Sequence, residues 1–469
     1  MLFVDLDNSL IKTDYLAESF FNYFSDNIFA PFTCAAIFLK KGKVGLKKFL
    51  YKNSNISITT LPYNQDVLKT IQDYKKKFPD QKVYLISATY FEAVNEISNY
   101  LGCFDGAFGT SAENLKSMVK LKKINEISDQ KPFIYIGDSK DDVVIWKNSK
   151  KCILVNPSRR LQATVKNINN SVDIIKSSNS FFLKEVIKAL RIHQWVKNLL
   201  LFIPLLLSLK PFYDLYGNLI NGFFAFSFIA SAFYILNDLF DIENDRTHYS
   251  KKYRPFARGS LSILHGLLIF CLLIIFSFII SITLPIAFQY CLLLYSLSTL
   301  AYSKYLKKMP IVDIFTLSYL YLLRVITGGA LVGISISNWL LTFSVFFFLF
   351  LAAVKRWIEL KRLENDFVPG RGYKISDISF VSNLSYFSGL ISVLVICLYI
   401  ESQQAQTLYD STKILWFIPA ILLYWILETL FKVERGLVDD DPVKYALKSK
   451  TSYFSILVFV FIIALTALI

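Results

Sequence analysis

The chain has 469 residues, 54% of them hydrophobic and 16% aromatic, with only 19% charged and a formal net charge of +15. Soluble domains carry about 25% charged residues, so disorder, a collagen-like chain and a simple soluble enzyme are excluded. Six Cys without a CxxC pair exclude a disulfide scaffold and a Cys-rich zinc module, and suit a reducing compartment. The charge is uneven: residues 1–190 hold 27 Lys/Arg and 19 Asp/Glu, whereas residues 191–469 hold only 24 and 17. A soluble domain is therefore expected to precede a membrane domain. Basic loops beside long apolar runs favour anionic lipid and phosphate substrates over nucleic acid.

The opening MLFVDLDNSL is an apolar strand with no basic leader, so the first domain is expected to stay in the cytoplasm. Three apolar runs end in polar residues: LFVDLD (2–7) in Asp5 and Asp7, VYLISA (83–88) at Ser87, and FIYIGDSKDD (133–142) at Gly137-Asp138, with Asp142 four residues on. Helical patterns between them predict a doubly wound α/β domain, and ligands bind such sheets at the carboxyl ends of the strands. Residues 14–60 form a helical insertion with a basic face of Lys40, Lys41, Lys43, Lys47 and Lys48, suited to lipid head groups or to solvent.

The order DxD, Ser, Lys, GDxxxD resembles the haloacid dehalogenase superfamily of aspartyl-phosphate enzymes. The resemblance implies that Asp5 is a nucleophile and Asp7 an acid–base group. It implies that Ser87 and Lys120, with Lys116 as the other candidate, bind phosphoryl oxygens. Asp5, Asp7 and Asp138 would hold Mg²⁺, assisted by Asp142 or Asp141, and residues 14–60 would be the cap. Asn8-Ser9 departs from the Gly-Thr that the family often has. The polar tract NINNSVDIIKSSNS (167–180) reads as a linker. The expected division is a phosphatase-like domain at 1–166, a linker at 167–185 and a membrane domain at 186–469.

Nine apolar stretches follow, at about 199–213, 218–236, 261–282, 285–301, 311–333, 338–354, 378–400, 414–431 and 451–469, most of them near the ~20 residues that cross a bilayer. The first is the weakest, interrupted by Pro204 and Lys210. Lys and Arg crowd alternate loops, which the positive-inside rule assigns to the cytoplasm. For a bacterial inner-membrane protein, nine crossings leave the N-terminal domain and the reactive loops inside and Ile469 outside.

The run NDLFDIENDR (237–246) closes the second stretch. On one continuous helix, Asn237, Asp238, Asp241 and Asp245 share a face, and three convergent carboxylates need a cation. Oxygen ligands without Cys or His point to Mg²⁺ bound together with substrate phosphates. A solvated acidic helix end is the plainer alternative. The position at the end of an apolar span favours function, as does the following KKYRPFARG (251–259), where Arg254 and Arg258 suit phosphate oxygens.

With RIHQWVKN (191–198), RPFARG (254–259), YSKYLK (302–307), LRVITGG (323–329), AVKRWIELKRL (353–363) and ERGLVDDDPVKYAL (434–447), this run resembles the UbiA-type prenyltransferase superfamily, and more narrowly its decaprenyl-phosphate phosphoribosyltransferase branch. The superfamily often carries a second DxxxD motif after the sixth span. Here Lys355, Arg356 and Glu359 stand in its place, which suits a second anion. Tyr302 and Lys307 resemble the superfamily's Tyr/Lys element. Arg324 is an intramembrane cation that needs a partner or an anionic ligand, and Lys197 and Asn198 could hold a lipid phosphate or snorkel.

The resemblance implies Mg²⁺-dependent transfer of 5-phosphoribose from phosphoribosyl diphosphate to a polyprenyl phosphate, with the front domain removing the 5-phosphate of the product. The alternatives are transfer of a prenyl chain from a diphosphate to a small acceptor, and a transporter or scaffold.

Overall fold

A computed structural model describes residues 1–176, 182–208, 216–248, 250–362, 371–409, 412–438, 442–446 and 449–468. The chain divides into two compact units: residues 1–190 with 234–270, and residues 191–233 with 271–469.

The first unit is built on six parallel strands in the order β3-β2-β1-β4-β5-β6. They are β1 Leu2–Val4, β2 Val83–Tyr90, β3 Gly106–Thr110, β4 Ile134–Gly137, β5 Lys151–Val155 and β6 Val172–Ile175. The helices are α1 Tyr15–Asp26, α2 Ala30–Asn53, α3 Gln65–Lys77, α4 Phe91–Leu101, α5 Met118–Ser128, α6 Val143–Asn148, α7 Arg159–Ile168 and α8 Phe182–Leu190. A parallel sheet covered on both faces needs apolar residues on both sides of each strand. β1 obeys: Leu2 and Val4 enter one core with Ile71 and Val94, and Phe3 enters the other with Ile86 and Trp146. The strand order reverses between β1 and β4, which pair through Leu2↔Ile134 and Val4↔Ile136. That reversal opens a crevice at their carboxyl ends, where Asp5 and Asp138 emerge.

The linker expected at 167–185 is corrected here. Residues 172–175 form β6, paired with β5 through Cys152↔Val172 and Val155↔Ile175. The alternation Val172, Ile174 with Asp173 between them is a strand pattern that the flanking Asn and Ser conceal. Residues 177–181 lie outside the described residues, and α8 follows.

In chain order the membrane part begins with a 3₁₀ segment, Ile192–Phe202, and α9 Ile203–Leu207. Then come α10 Tyr216–Phe240, α11 Ile242–Thr247, α12 Ile263–Ser281, α13 Ile286–Lys304, α14 Val312–Val332 and α15 Asn338–Lys361. The chain ends with α16 Ile378–Ile400, α17 Gln403–Leu408, α18 Phe417–Glu434, α19 Pro442–Ala446 and α20 Lys450–Leu468. Among the described residues seven helices are long and apolar enough to cross a membrane: α10, α12 to α16, and α18. The ninth expected stretch forms α20, whose described side chains, Lys450–Ile462, are apolar. The stretch at 199–213 is not one α-helix, and residues 209–215 lie outside the described residues.

The second unit's main core surrounds α15, whose Phe348, Phe350 and Trp357 pack with Ile314 of α14, Val381 of α16 and Ile426 of α18. Gly328 on α14 permits a close approach of the 3₁₀ segment: a Cβ there would meet the Leu201 carbonyl oxygen at 2.1 Å.

Candidate active sites

The first site grows from the carboxyl ends of β1, β2 and β4. After β1 the backbone turns at Asn8, whose φ of 54° is left-handed, a conformation that Asn tolerates better than most residues. That turn presents Asp5 and Asp7 together. Asp5 Oδ1 accepts from the Leu6 amide at 2.9 Å and faces Lys120 Nζ at 3.0 Å. Asp7 Oδ1 accepts from the Tyr15 amide at 2.8 Å, the first residue of α1, while Oδ2 accepts from the Ser87 hydroxyl at 3.2 Å and the Thr89 hydroxyl at 2.7 Å.

Asp142 accepts from the Tyr135 hydroxyl at 2.8 Å and from the Ser139 amide and hydroxyl at 3.1 and 3.0 Å, with Lys120 at 3.7 Å. Asp138 accepts from the Ser9 hydroxyl at 3.4 Å. Carboxylate oxygens of Asp5, Asp138 and Asp142 lie within 4.8 Å of one another. Three hard oxygens that close form a donor set for Mg²⁺.

Burial pushes Asp5 up to about 7, against the opposing Lys120 charge, and pushes Asp138 up to about 8, with Asp5 and Asp142 adding. Burial alone would lower Lys120, but Asp5 and Asp142 hold it above its ordinary value, so it stays protonated.

Several expectations are sharpened. Lys120 joins the site, whereas Lys116 pairs with Asp141 at 2.7 Å, outside it. Asp142 rather than Asp141 completes the carboxylate group. Asp7, expected among the metal ligands, is not in that group and is held by three donors from elsewhere. Ser87, expected on phosphoryl oxygens, spends its hydroxyl proton on Asp7. The sequence reading did not single out Thr89, although it lies two residues past Ser87 on the same strand face. Lys47 of the expected cap reaches in to donate to the carbonyl of Ala88 and to Asn114 Oδ1 at 2.6 Å. Burial, then Lys43, lowers it to about 8.

The second site is the Asp run, also in the first unit. The run is not one continuous helix: α10 stops at Phe240 and Asp241 caps α11. Asp238 and Asp245, both buried, still meet, because Arg254 Nη1 lies 3.0 Å from Asp238 Oδ1 and 2.6 Å from Asp245 Oδ2. Asp241 accepts from the Asn237 side-chain amide at 3.1 Å. Asp238 and Asp245 thus have a guanidinium between them, and Asp241 stands close enough to act on both Asp245 and Arg254. Burial pushes Asp245 up to about 6 despite Arg254, with Asp238 and Asp241 adding.

Arg258, expected on phosphate, instead pairs with Glu185 at 2.5 Å and donates to Ser260 at 2.9 Å. Arg246 forms a buried pair with Glu18 of α1 at 2.5 Å. Glu243 accepts from Asn22 at 2.9 Å and from the Ser57 amide at 2.5 Å. The strands' own insertion thus grips the loop that carries the Asp run.

In the second unit Asp313, fully buried at the start of α14, binds Tyr302 (2.8 Å), Arg356 (2.7 Å) and Arg371 (3.1 Å). Arg356 also pairs with Glu359, which Arg371 approaches at 3.4 Å. Arg356 and Tyr302, expected to hold substrate, therefore spend their polar groups on Asp313, and Arg356 is wholly enclosed. Lys307 is buried, and Lys355, adjacent to Arg356 in α15, is half-buried. The sequence reading did not single out Asp313 or Arg371. Asp313 carried the same signal that flagged Arg324, a charge inside an apolar run.

Arg324 donates to Asn198 at 3.0 Å and to the Tyr295 hydroxyl at 3.0 Å, and its guanidinium lies 5.7 Å from the Tyr321 ring centre. Lys197 stands 5.6 Å from that same ring. Asn198 in turn donates to Ser227 at 2.9 Å, and Trp195 to Ser231 at 2.9 Å, so the 191–198 piece fixes Arg324 against α10.

A doubly wound parallel α/β domain, joined to a set of apolar crossing helices with acidic and basic groups at their ends, defines a multi-pass membrane protein with an attached α/β domain. The chain belongs to the UbiA prenyltransferase family, whose profile matches residues 199–446. It is 34% identical over 462 residues to the uncharacterized protein y4nM of Sinorhizobium fredii, covering 97% of this chain and 88% of that one. It is 30% identical to the decaprenyl-phosphate phosphoribosyltransferase of Mycolicibacterium smegmatis, over 56% of this chain and 86% of that one. Among solved structures, a UbiA homologue from Archaeoglobus fulgidus bound to DMAPP and Mg²⁺ matches with a TM-score of 0.44 at 16% identity, covering 53% of this chain and 86% of that one.

Proposed function

We propose that the membrane part transfers 5-phosphoribose from phosphoribosyl diphosphate to the phosphate of a decaprenyl-type polyprenyl phosphate. The observation that carries this reading is the Asp238–Arg254–Asp245 bridge at the end of α10. Two buried carboxylates there already accommodate one cationic group, so the donor set fits a divalent ion. Asp238, Asp241 and Asp245, with Asn237, would hold Mg²⁺, which when bound supplies charge neutralisation for the departing diphosphate.

Arg254 exchanges its carboxylates for phosphate oxygens when substrate arrives, and so moves from a structural pair to a positioning role. The ribose C1–diphosphate bond breaks and a C1–oxygen bond to the lipid phosphate forms. No strong general base is required, because the lipid phosphate is already ionised. Lys355 and Lys307 remain as point charges for phosphate, and Lys197 with Arg324 form the cationic place inside the apolar interior. Two features favour this reading over prenyl transfer. A relative bears the phosphoribosyltransferase name, and residues 355–362 carry KRWIELKR where a second acidic motif would serve a second metal.

In the first site, Asp5 attacks the phosphorus of a phosphomonoester while Asp7 gives its proton to the leaving alkoxide. Asp7 then takes a proton from the water that hydrolyses the acyl phosphate. Asp5, Asp138 and Asp142 would hold Mg²⁺, and Lys120 neutralises the phosphoryl charge. The substrate that fits the fusion is the 5-phosphate of the lipid-linked phosphoribose. Both sites are assigned to the cytoplasmic face of a bacterial inner membrane, with the C-terminus outside.

Labelled phosphoribosyl diphosphate, polyprenyl phosphate and Mg²⁺ should yield label in an organic-extractable lipid with the wild type, and not with Asp238→Asn. Activity instead on a prenyl diphosphate with an aromatic acceptor would replace this reading. Phosphate release from the purified lipid product, absent in Asp5→Asn, tests the second step.

A further inference from the structure

The insertion between β1 and β2 has a surface that neither reaction uses. From Asn27 to Leu39 the chain reads NIFAPFTCAAIFL, without one charge, and Lys40, Lys41, Lys43, Lys47 and Lys48 follow before the next acid, Asp66. The first half of α2, up to the kink at Gly42 with φ of 62°, faces the wrong way for a water-soluble helix. Its buried side is small, Ala30 and Cys34, while its outward side is large: Phe29 is 67% exposed, Phe32 75% and Leu39 84%, with Ile28 and Phe38 also open. Positions 32 and 39, with exposed Ala35 and Ala36 between, form one stripe at helical spacing, and exposed Ile28 and Phe29 stand just ahead of it. Contiguous exposed apolar surface of this kind marks an interaction site.

The occupant follows from where the stripe is attached. Phe24, one turn before the α1–α2 turn, packs its ring 5.1 Å from Phe240, the last residue of α10, and Phe21 lies 6.3 Å from the same ring. The hairpin tip is therefore fastened to the point at which an apolar crossing helix ends. A helix with an aromatic and aliphatic face and a following set of lysines suits the boundary between acyl chains and anionic head groups.

We infer that Ile28–Leu39 is an interfacial anchor, with Phe29, Phe32 and Leu39 entering the leaflet that α10 leaves at Phe240 and Lys40, Lys41, Lys43 and Lys48 meeting its anionic head groups. The same helix, beyond Gly42, carries Lys47 to the rim of the first site. The anchor thus holds that site at the bilayer surface, where a phosphomonoester on a lipid can reach it. This last consequence rests on the proposed phosphatase reading, whereas the anchor itself does not.

The full chain, reconstituted in vesicles of phosphatidylglycerol and phosphatidylcholine, tests the anchor without any activity. Phe32→Cys and Leu39→Cys are labelled with an environment-sensitive fluorophore, with Lys122→Cys on exposed α5 as control and the parent chain as background. Quenching at 32 and 39 by shallow doxyl lipids, with at least threefold less quenching by aqueous iodide than at 122, is the expected result. Iodide quenching equal to that at 122 overturns the anchor. Protection from iodide without quenching by doxyl lipid also overturns it, because protein then covers the stripe. Separately, Phe32→Ser with Leu39→Ser should lower phosphate release from a vesicle-borne phospholipid monoester about tenfold and leave release from p-nitrophenyl phosphate unchanged. Equal loss on both would remove the link to lipid substrates but leave the labelling result to judge the anchor.

Discussion

Asp7 is held at the first site by three donors, the Tyr15 amide and the hydroxyls of Ser87 and Thr89. Thr89 gives it the shortest of its hydroxyl bonds, 2.7 Å. A typical hydrogen bond contributes about 0.5–1.5 kcal/mol, so Thr89→Val, which leaves Asp7 less firmly oriented, should slow phosphate release up to about tenfold with little change in melting temperature. Steady-state phosphate release beside a melting curve checks this, and an unchanged rate would show that Ser87 and the Tyr15 amide suffice. Asp313 poses the opposite case. It neutralises Arg356 and Arg371 inside the protein, and removing one partner of a buried pair costs about 3–5 kcal/mol. Asp313→Asn should therefore lower the thermal stability of the detergent-solubilised chain sharply, whereas Lys355→Met should leave it near wild type. These residues also show what a linear sequence conceals. Asp5, Asp138 and Asp142 were legible because each ends or follows an apolar strand. Asp313 and Arg371 are 58 positions apart, and nothing local announces that they meet.

Single helices and strands tell a similar story. β1, β2 and β4 were legible from their apolar runs, and so were the long crossing helices, because a hydrocarbon environment leaves so few polar residues in them. β6 was not legible, since a four-residue edge strand between Asn and Ser tracts has too little pattern to outweigh its flanks. The break at Asp241 was also hidden. Spacing alone fits an uninterrupted helix, and the break arises where Asp241 caps α11 while Arg254 reaches back to Asp238 and Asp245. α1 joins the two sites of the first unit. Its first amide holds Asp7, and its Glu18 pairs with Arg246, the neighbour of Asp245. Glu18→Gln should loosen that loop, increasing proteolytic cleavage within 247–258 and lowering phosphoribosyl transfer several-fold, while Asn53→Ala at the far end of α2 should do neither.

Taken over the whole molecule, the balance of protons and metal sets the pH response. Asp5 and Asp138 are held near 7 and 8 in the folded state, above the ~3.9 of an unfolded Asp. Their protonated forms favour folding, so this contribution is full below about 4, falls progressively as pH rises, and is gone once pH has passed 7 to 8. The metal-free protein should melt lower at pH 8.5 than at pH 6. The proposed Mg²⁺ site requires ionised carboxylates, so Mg²⁺ should raise the melting temperature more at pH 8.5 than at pH 6. Melting in EDTA and in Mg²⁺ at both values checks this, and equal shifts would separate these carboxylates from metal binding. The charge asymmetry of the loops, legible in the sequence as a pattern of Lys and Arg, predicts that a C-terminal reporter active only outside the cytoplasm will be active.

The seam between the two compact units runs through α10 and α12, between residues 233 and 234 and between 270 and 271, rather than through the tract after β6. The front domain is accordingly not a detachable module carried on a leash. A fragment beginning at residue 186 would keep every crossing helix, yet Arg246 would lose Glu18, Arg258 would lose Glu185, and Glu243 would lose Asn22 and Ser57. The acidic hinge would then be stripped of its counterweights, and any attempt to dissect the polypeptide into independent halves would cut through the scaffolding of the Asp238–Arg254–Asp245 bridge.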